Sequence, residues 1–331
     1  MRRVDTRVSG TAAPMLVAEE VREALASGAA VVALESTIIS HGLPSESSAR
    51  TARRIEAAVR DGGAVPATIA ILDGAVRVGL DDDALVRVAE GPDVVKSSVR
   101  DLGPVLAAGR TGTTTVAATS YLAHRAGIAL FATGGLGGVH RGARDTWDES
   151  ADLAALAAVP VTVVCAGVKS ILDTAATLER LESLSVPVVG YGTDVMPGFY
   201  VRDTGLPVPW RVDAPEQVAA VVAARQRLGL PQGLVVAQPV APEAELDPGL
   251  HERTLAAGLA EAARRRVTGK DVTPFLLGWF HEHSGGASLA TNVALVLANA
   301  ELAGRVAGEL ARPAADGAED GAGAGARDTS E

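Results

Sequence analysis

Lysine is scarce in this sequence, and its few lysines are the first residues to consider for chemistry. Of the 30 basic residues only Lys96, Lys169 and Lys270 are lysine, so arginine supplies the rest. A guanidinium keeps its proton at any working pH, whereas a partly buried ammonium can lose its proton and attack a carbonyl carbon. Lys169 follows the apolar run VTVVCAGV, where removal from water would favour the neutral amine. Lys169 is therefore a candidate nucleophile, and a lysine in a structural ion pair is the alternative.

Other polar residues come directly after, or lie within, short apolar runs that are typical of buried strands. Glu35 follows VVAL, Lys96 lies in DVVKSS, and Thr133 precedes the glycine-rich loop GGLGGVHRG (134–142). Ligands of parallel α/β sheets bind at the carboxyl ends of strands, and glycines let a backbone approach a phosphate closely. His140 of this loop is a candidate to bind phosphate or to carry a proton. Because the loop matches neither a P-loop nor a complete dinucleotide fingerprint, ordinary turn chemistry is the alternative.

An acidic cluster follows the glycine-rich loop and consists of Asp145, Asp148, Glu149 and Asp152. This spacing would place several carboxylates on one side of a helix start, where they could hold a hard divalent ion such as Mg²⁺ or Mn²⁺ together with water. Favourable negative charge in the first turn of a helix explains the same pattern, so both interpretations stay open.

Near the C-terminus, Asn292 is the conspicuous polar residue of a long apolar helix, and an ordinary amide on the helix surface is the alternative interpretation.

The helices and strands that would position these residues can be predicted from the composition of the chain and from the periodicity of its apolar residues. The chain has 331 residues, of which 47% are apolar and 21% charged, as in ordinary globular proteins. Short β-branched runs alternate with helical segments, which predicts an α/β sandwich with helices on both faces of a sheet. Asp73-Gly74 between two of the runs signals a hairpin, so the sheet should be mixed. The strand-like runs are 30–36, 67–72, 75–80, 93–98, 129–135, 161–168, 186–193 and 233–240.

The ends of the chain differ from its middle. Residues 1–15 are predicted to be a flexible N-terminus, and residues 16–28 read as an amphipathic helix closed by a glycine. No linker forces a domain boundary between residues 16 and 311. Residues 312–331 contain almost no bulky apolar side chains, so we predict a disordered tail.

Composition also excludes several classes of function. A single cysteine, Cys165, allows no internal disulfide and no cysteine-based zinc or iron–sulfur site within one chain. A net charge of −10 argues against nonspecific nucleic-acid binding, which depends on basic side chains that neutralise phosphates. No apolar run approaches the roughly 18 residues of a membrane span, and no apolar block follows the N-terminal arginines. We therefore expect a cytoplasmic protein that binds neither nucleic acid nor membrane.

Eight segments of the chain resemble those of the pseudouridine-5′-phosphate glycosidase family, in one order from about residue 16 to residue 311. They are LESTIISHGLP (34–44), PATIAILDG (66–74), VKSSVRDLG (95–103), GTTTVAATSYLAHRAGI (112–128), FATGGLGGVHRGARDTWDESADL (131–153), VTVVCAGVKSILD (161–173), TGKDVTPFLL (268–277) and SLATNVALVLANA (288–300). Segments of this length leave little room for coincidence.

The resemblance implies a single catalytic domain over residues 16–311, built as an α/β/α sandwich with a large mixed, mostly parallel sheet. It implies reversible cleavage of pseudouridine 5′-phosphate to uracil and ribose 5-phosphate through a lysine Schiff base, with degradation as the usual direction in cells. It also implies one Mn²⁺ per subunit and a homotrimer.

Carried over position by position, the resemblance implies that Lys169 is the Schiff-base nucleophile and Glu35 the proton donor. Asp148 matches the metal position. The substrate-binding positions match Lys96, Val116, Ser150, Ala151 and Asp152, and positions near the ribose phosphate match Thr133, His140 and Asn292.

The implied reaction explains why a lysine would be required. Pseudouridine is a C-glycoside, so uracil must leave from carbon, and the two-carboxylate route of ordinary glycosidases does not suffice. A lysine that forms an imine-type adduct at C1′ supplies a positive nitrogen that stabilises charge as the C–C bond breaks. Two alternatives stay open: a Schiff-base aldolase acting on another sugar phosphate, and a sugar-phosphate-binding regulator without turnover. The presence of both Glu35 and Lys169 argues against the regulator.

Overall fold

The computed structural model of the chain describes residues 15–41 and 45–312. The strands are β1 (Met15–Val17), β2 (Val31–Leu34), β3 (Val65–Leu72), β4 (Ala75–Val78), β5 (Val95–Ser97), β6 (Gly112–Thr114), β7 (Leu130–Ala132), β8 (Thr162–Cys165), β9 (Val188–Tyr191), β10 (Trp210–Val212) and β11 (Leu234–Ala237). The α-helices are α1 (Glu19–Ser27), α2 (Thr37–His41), α3 (Ser45–Asp61), α4 (Asp82–Glu90), α5 (Val99–Ala107), α6 (Val116–Arg125), α7 (Ala143–Thr146), α8 (Ala151–Ala158), α9 (Thr174–Ser183), α10 (Pro215–Arg227), α11 (Pro248–Arg265), α12 (Val272–His283) and α13 (Ala287–Ala311).

These strands form one sheet whose main path runs β1-β4-β3-β2-β7-β8-β11-β9-β10. Every pairing along the path from β3 through β2 to β10 is parallel. All residues of β2, β8 and β11 are buried, as expected for strands that are covered by helices on both faces. The predicted α/β/α sandwich with a large mixed, mostly parallel sheet is therefore confirmed.

The predicted hairpin supplies an antiparallel pair of the mixed sheet. β3 and β4 are antiparallel, and Asp73 and Gly74 between them have φ angles of 50° and 73°. Two successive positive φ angles are typical of the type I′ turn that Asp-Gly favours. On the other side, β6 pairs antiparallel with β3 and parallel with β5. The strand that carries Lys96 is thereby held beside the central sheet.

Three short strands were not predicted: β1, β6 and β10, each three residues long. β1 lies where we predicted the start of a helix; the helix begins instead at Glu19, because residues 15–17 pair in parallel with β4. Met15 was assigned to the flexible N-terminus and belongs to this strand. The rest of that predicted terminus, and the predicted tail from residue 313 onward, lie outside the described residues.

α13 is the long apolar helix that the sequence predicts, and it lies in the core. Its length and its mean hydropathy of 1.2 would suit a membrane span, but 56% of the window is buried inside the protein, as in a core helix. It packs closely on α3 at paired glycines: a Cβ on Gly304 would lie 2.6 Å from the carbonyl oxygen of Val59. α13 and α3 are therefore in close backbone contact.

Candidate active site

A cavity of about 330 Å³ opens at the carboxyl ends of the central strands. Ten of the eleven predicted site residues line it, and the eleventh, Thr133, contacts Glu35. The predicted residues that line the cavity are Glu35, Lys96, Val116, His140, Asp148, Ser150, Ala151, Asp152, Lys169 and Asn292. The fold thus brings together residues that are up to 257 positions apart in the sequence.

A second concavity of about 740 Å³ lies between α9, β9 and α10 and has a different character. Its lining is mainly apolar, and the guanidinium of Arg225 donates to the backbone carbonyl oxygens of Gln232 and Gly233. None of the predicted site residues lines this concavity. The smaller cavity is therefore the candidate active site, because titratable groups converge there.

Glu35, Thr133 and Lys169 follow β2, β7 and β8, which are neighbours in the sheet. The Thr133 hydroxyl donates a short hydrogen bond to Oε1 of Glu35, whose side chain is only 9% exposed. Burial raises the pKa of Glu35, while the positive charge of Lys169 and the bond from Thr133 oppose that rise. A carboxyl group with a raised pKa keeps its proton to higher pH, as a proton donor requires.

The two lysines of the cavity come from different parts of the sheet. Lys169 lies four residues beyond β8, where its backbone N–H donates to the carbonyl oxygen of Leu136 at 3.0 Å. Lys96 lies within β5, and burial together with the charge of Lys169 lowers its pKa. Cys165 at the end of β8 is fully buried, and burial raises the pKa of its thiol to about 12. Cys165 is therefore unsuited to act as a nucleophile, whereas both lysines line the cavity.

Asp152 connects two walls of the cavity. Its Oδ1 accepts a hydrogen bond from Ala117 N at 2.9 Å and its Oδ2 accepts one from Gly137 N at 2.8 Å. The carboxylate thus satisfies an amide at the start of α6, where Val116 is the first residue, and an amide of the glycine-rich loop. Gly137 has no space for a side chain, because a Cβ there would lie 2.6 Å from Asp152 Oδ2. Asp152 therefore fixes the backbone around the cavity.

Three residues of the acidic cluster, Asp148, Glu149 and Asp152, line the cavity, but their carboxylates have different partners. Glu149 pairs with Arg180 at 3.0 Å, Asp145 is exposed outside the cavity lining, and Asp152 binds backbone amides. Within residues 15–41 and 45–312 no group of three or more His, Cys, Asp or Glu side chains is placed to hold a metal ion. The interpretation that several of these carboxylates share one metal ion therefore stays a prediction. Asp148 remains as the half-buried carboxylate beside the cavity.

Asp148 and His140 form a pair at one edge of the cavity. His140 Nδ1 lies 3.7 Å from Asp148 Oδ2, and the backbone N–H of His140 donates to the backbone carbonyl oxygen of Asp148. Burial lowers the pKa of His140, whereas the Asp148 carboxylate raises it. The net lowering favours a neutral imidazole at neutral pH, which can accept or donate a hydrogen bond.

Some residues of the site escaped sequence reasoning. Phe199, which has a positive φ of 66°, lines the cavity and packs against Gly135, where a Cβ would lie 2.5 Å from its ring. It belongs to the segment 192–205 that follows β9. From α13, Asn292 lines the cavity as predicted, and Asn299 lies behind it as a second buried amide. The spacing of seven between these asparagines is the sequence signal that places them on one face of a helix.

Comparison with known proteins identifies relatives across most of the chain. The family model described as indigoidine synthase A like protein matches residues 20–309. A pseudouridine-5′-phosphate glycosidase from Salinispora tropica is 59% identical over 289 residues, which cover 87% of this chain and 89% of the relative. One from Streptomyces griseus is 57% identical over 293 residues, which cover 88% of this chain and 91% of the relative. The resemblance predicted from the sequence is confirmed.

Solved structures give the same result for the fold. The crystal structure of the prealnumycin C-glycosynthase in complex with ribulose 5-phosphate has a TM-score of 0.83 at 39% identity, covering 90% of this chain and 97% of that chain. An indigoidine synthase A-like protein from Thermotoga maritima has a TM-score of 0.83 at 35% identity, covering 93% of this chain and 100% of that chain. The chain therefore belongs to the family of indigoidine synthase A-like proteins and pseudouridine-5′-phosphate glycosidases.

Proposed function

We propose that this protein is a pseudouridine-5′-phosphate glycosidase that cleaves its substrate reversibly to uracil and ribose 5-phosphate. The observation that carries the proposal is the placement of Glu35 and Lys169 on one cavity, at the ends of strands two positions apart in the sheet. A buried carboxyl group with a raised pKa and a lysine at one cavity are the acid and the nucleophile that Schiff-base cleavage of a sugar requires. Relatives at 57–59% identity carry this name.

In the proposed reaction, Glu35 first protonates the ribose ring oxygen. Lys169 Nζ then forms a bond to C1′ as the bond from C1′ to the ring oxygen breaks. The nitrogen of this adduct loses a proton and uracil C5 takes one up. The nitrogen lone pair then forms the C1′=N bond as the C1′–C5 bond breaks, and the electrons of the broken bond stay with uracil. Water finally hydrolyses the imine, which releases ribose 5-phosphate and the free lysine. Arginine cannot replace lysine in these steps, because its guanidinium does not give up a proton.

Several cavity residues are placed to hold the sugar phosphate in this scheme. Lys96 supplies a positive charge, and His140 with the glycine-rich loop supplies hydrogen-bond donors for phosphate oxygens. Asn292 is only 5% exposed, and its Oδ1 has no hydrogen-bond partner among the described residues. Since buried polar atoms are normally paired, this amide is suited to a ligand hydroxyl.

A divalent cation fits this site through Asp148 alone. Its carboxylate lines the cavity and has no Lys or Arg partner among the described residues, whereas neighbouring Glu149 is paired with Arg180. Mn²⁺ and Mg²⁺ are often held by one or two carboxylates, with water and substrate oxygens as the other ligands. We propose that Asp148 holds one Mn²⁺, which when bound would supply positive charge that orients polar groups of the substrate.

A second candidate is formation rather than cleavage of a C-glycosidic bond. It is favoured by the 39% identity to the prealnumycin C-glycosynthase, whose structure contains ribulose 5-phosphate. The same acid and amine would serve in this direction, because each step of the proposed cleavage is reversible. A Schiff-base aldolase would use the same lysine but would break a C–C bond within the sugar.

Product analysis of four reactions separates these functions. With Mn²⁺ present, we expect uracil from pseudouridine 5′-phosphate, no uracil from uridine 5′-phosphate, and no aldehyde product from deoxyribose 5-phosphate. Uracil with ribose 5-phosphate should give pseudouridine 5′-phosphate in the reverse direction. Turnover of deoxyribose 5-phosphate alone would replace the proposal with the aldolase, and binding of ribose 5-phosphate without turnover would replace it with the regulator.

Assembly and location follow from the resemblance. We propose a homotrimer in the cytoplasm with small-molecule partners only. Light scattering coupled to size-exclusion chromatography should give a mass near three times that of the 33.6 kDa chain. A monomer at micromolar concentration would contradict the assembly.

A further inference from the structure

Asn299 lies behind the cavity, and nothing in the proposed reaction uses it. It is on α13 and only 1% exposed. Its side-chain Nδ2 donates a hydrogen bond to the carbonyl oxygen of Thr133 at 2.8 Å and a longer one to that of Gly134 at 3.4 Å. A buried amide that is aimed at the backbone of two residues beside Glu35 calls for an explanation, because burying a polar side chain has a free-energy cost.

Among residues 15–41 and 45–312, the donor that we find to the Thr133 carbonyl oxygen is the side chain of Asn299. The neighbouring polar groups have strand partners: Thr133 N donates to Val164 O at 3.0 Å, and Gly134 O accepts from Ala166 N at 2.9 Å. The Thr133 carbonyl lies just after the end of β7, where the Gly134 carbonyl, and not that of Thr133, accepts the next hydrogen bond from the β8 side. Without Asn299 this buried carbonyl oxygen would be left unpaired, at a cost of about 1–3 kcal/mol.

The orientation of this peptide group decides where the Thr133 hydroxyl points. Thr133 is 1% exposed, and its hydroxyl donates to Glu35 Oε1. A shift of the peptide would move the hydroxyl away from the carboxylate, because a β-branched side chain has little rotational freedom with which to compensate. Asn299 therefore affects Glu35 indirectly, through Thr133.

The two asparagines of α13 have different contacts at this side of the cavity. Asn292 and Asn299 are seven residues apart, about two turns of helix, and so share a face. Asn292 lines the cavity, whereas Asn299 is absent from the lining and bonds to the backbone.

We propose that Asn299 is a positioning residue that holds the Thr133–Gly134 backbone so that the Thr133 hydroxyl donates to Glu35. The kinetic consequences of this inference rest on the proposed function. The two hydrogen bonds, from Asn299 to the Thr133 carbonyl and from the Thr133 hydroxyl to Glu35, are present without substrate. Loss of these hydrogen bonds should impair proton donation more than substrate binding, since neither Asn299 nor Thr133 lines the cavity.

Kinetics of Asn299→Ala, with Asn299→Ser as a milder variant, test the proposal. We expect kcat to fall about tenfold and KM to change less than about threefold, as for a misplaced catalytic group. Residues that act through one contact are not additive. Adding Asn299→Ala to Thr133→Val should therefore lower kcat by less than about twofold beyond Thr133→Val alone. Multiplicative effects of the two changes, or an unchanged kcat in Asn299→Ala, would overturn the proposal.

Thr291→Val is the matched control. Thr291 is buried on the same helix, and its hydroxyl donates to Ala244 O at 2.8 Å, away from the cavity lining. This variant should lose a comparable amount of thermal stability and keep the wild-type kcat. If it loses kcat as Asn299→Ala does, general loosening of α13 explains the effect and the proposal is wrong.

A readout without substrate separates failure of this inference from failure of the proposed function. The titration of Glu35 can be followed by infrared difference spectra against Glu35→Gln. Asn299→Ala and Thr133→Val should both raise the Glu35 pKa, because Thr133→Val removes the donor to the ionised carboxylate and Asn299→Ala displaces it. If the wild type releases no uracil, the proposed function is wrong. If the Glu35 pKa in Asn299→Ala equals that of the wild type, this inference is wrong.

Discussion

The hydroxyl of Thr133 donates a hydrogen bond to the carboxylate of Glu35, and the two residues follow neighbouring parallel strands, β7 and β2. The bond crosses from one strand end to the next at the edge where Lys169 also lies. Hydrogen bonding to the ionised carboxylate and the positive lysine oppose the rise in pKa that burial causes. The protonation of Glu35 is therefore set by a balance that single substitutions can change.

Thr133→Val should move the basic limb of the pH–rate profile to higher pH. A proton donor must be protonated, so kcat/KM falls as pH rises through the Glu35 pKa. Because the Thr133 hydroxyl lowers that pKa, its removal raises the pKa and delays the fall. Thr133→Ser keeps a hydroxyl and is the control. Profiles of kcat/KM between about pH 5 and 10 check this, and a limb that moves to lower pH would contradict the account.

Glu35→Gln should be more stable to heat than the wild type above about pH 5, despite losing activity. Burial raises the folded-state pKa of Glu35 above its unfolded value of 4.5. The folded state then binds the proton more tightly, so the wild type loses stability as pH rises from the unfolded pKa through the folded one. The amide that replaces the carboxyl group in the variant does not titrate in this range. Melting temperatures at several pH values should show a gain that grows with pH, and a constant difference would refute this reading.

Gly137→Ala should destabilise the loop that faces the cavity. The added Cβ would lie 2.6 Å from Asp152 Oδ2 and still closer to Ser150 Oγ, so the carboxylate bonds to Gly137 and Ala117 must shift. We expect a loss of about 1–3 kcal/mol in the free energy of unfolding, as for overpacking, with reduced turnover. Denaturant titration measures this.

Gly308→Ala is the control for that change. Gly308 lies in α13, and beyond the neighbouring backbone of that helix no atom lies within 4 Å of the position its Cβ would take. Alanine has the higher helix propensity, so this variant should gain up to about 1 kcal/mol. Equal losses in the two alanine variants would show that the crowding at Gly137 is not the cause.

Asp148→Asn should weaken Mn²⁺ binding at least about tenfold, since a charged oxygen ligand is replaced by a neutral one. Glu149→Gln is a matched control, because Glu149 is adjacent in sequence and pairs with Arg180. Electron paramagnetic resonance of free Mn²⁺ gives the affinity without an activity assay. Wild-type affinity in Asp148→Asn, or an equal loss in Glu149→Gln, would move the metal site elsewhere.

Much of the fold follows from local pattern. Seven of the eight apolar runs contain a whole strand and the eighth, 67–72, lies within β3, because a doubly covered parallel sheet requires continuous apolar segments. The missed strands β1, β6 and β10 have three residues each, too few to show a period. β1 forms only because β4 offers a partner, which residues 15–17 do not reveal.

The site divides in a similar way. Glu35 and Lys169 could be placed from their positions after strand-like runs, since strand ends meet at one edge of a sheet. The acidic cluster could not be resolved from spacing, because the partner of Glu149 is Arg180, 31 residues away, and Asp152 binds amides from two other segments. Asn299 is hidden for the same reason: its partner, the Thr133 carbonyl, lies 166 residues earlier.

The most direct test of the account is borohydride trapping of the lysine adduct. Wild type is incubated with ribose 5-phosphate, reduced, and analysed by intact mass and peptide mapping, beside Lys169→Arg, which keeps the positive charge but cannot form an imine. We predict a reduced ribose 5-phosphate adduct on Lys169 in the wild type and none in Lys169→Arg. No adduct in folded wild-type protein, or an adduct on Lys96 that persists in Lys169→Arg, would contradict Lys169 as the nucleophile.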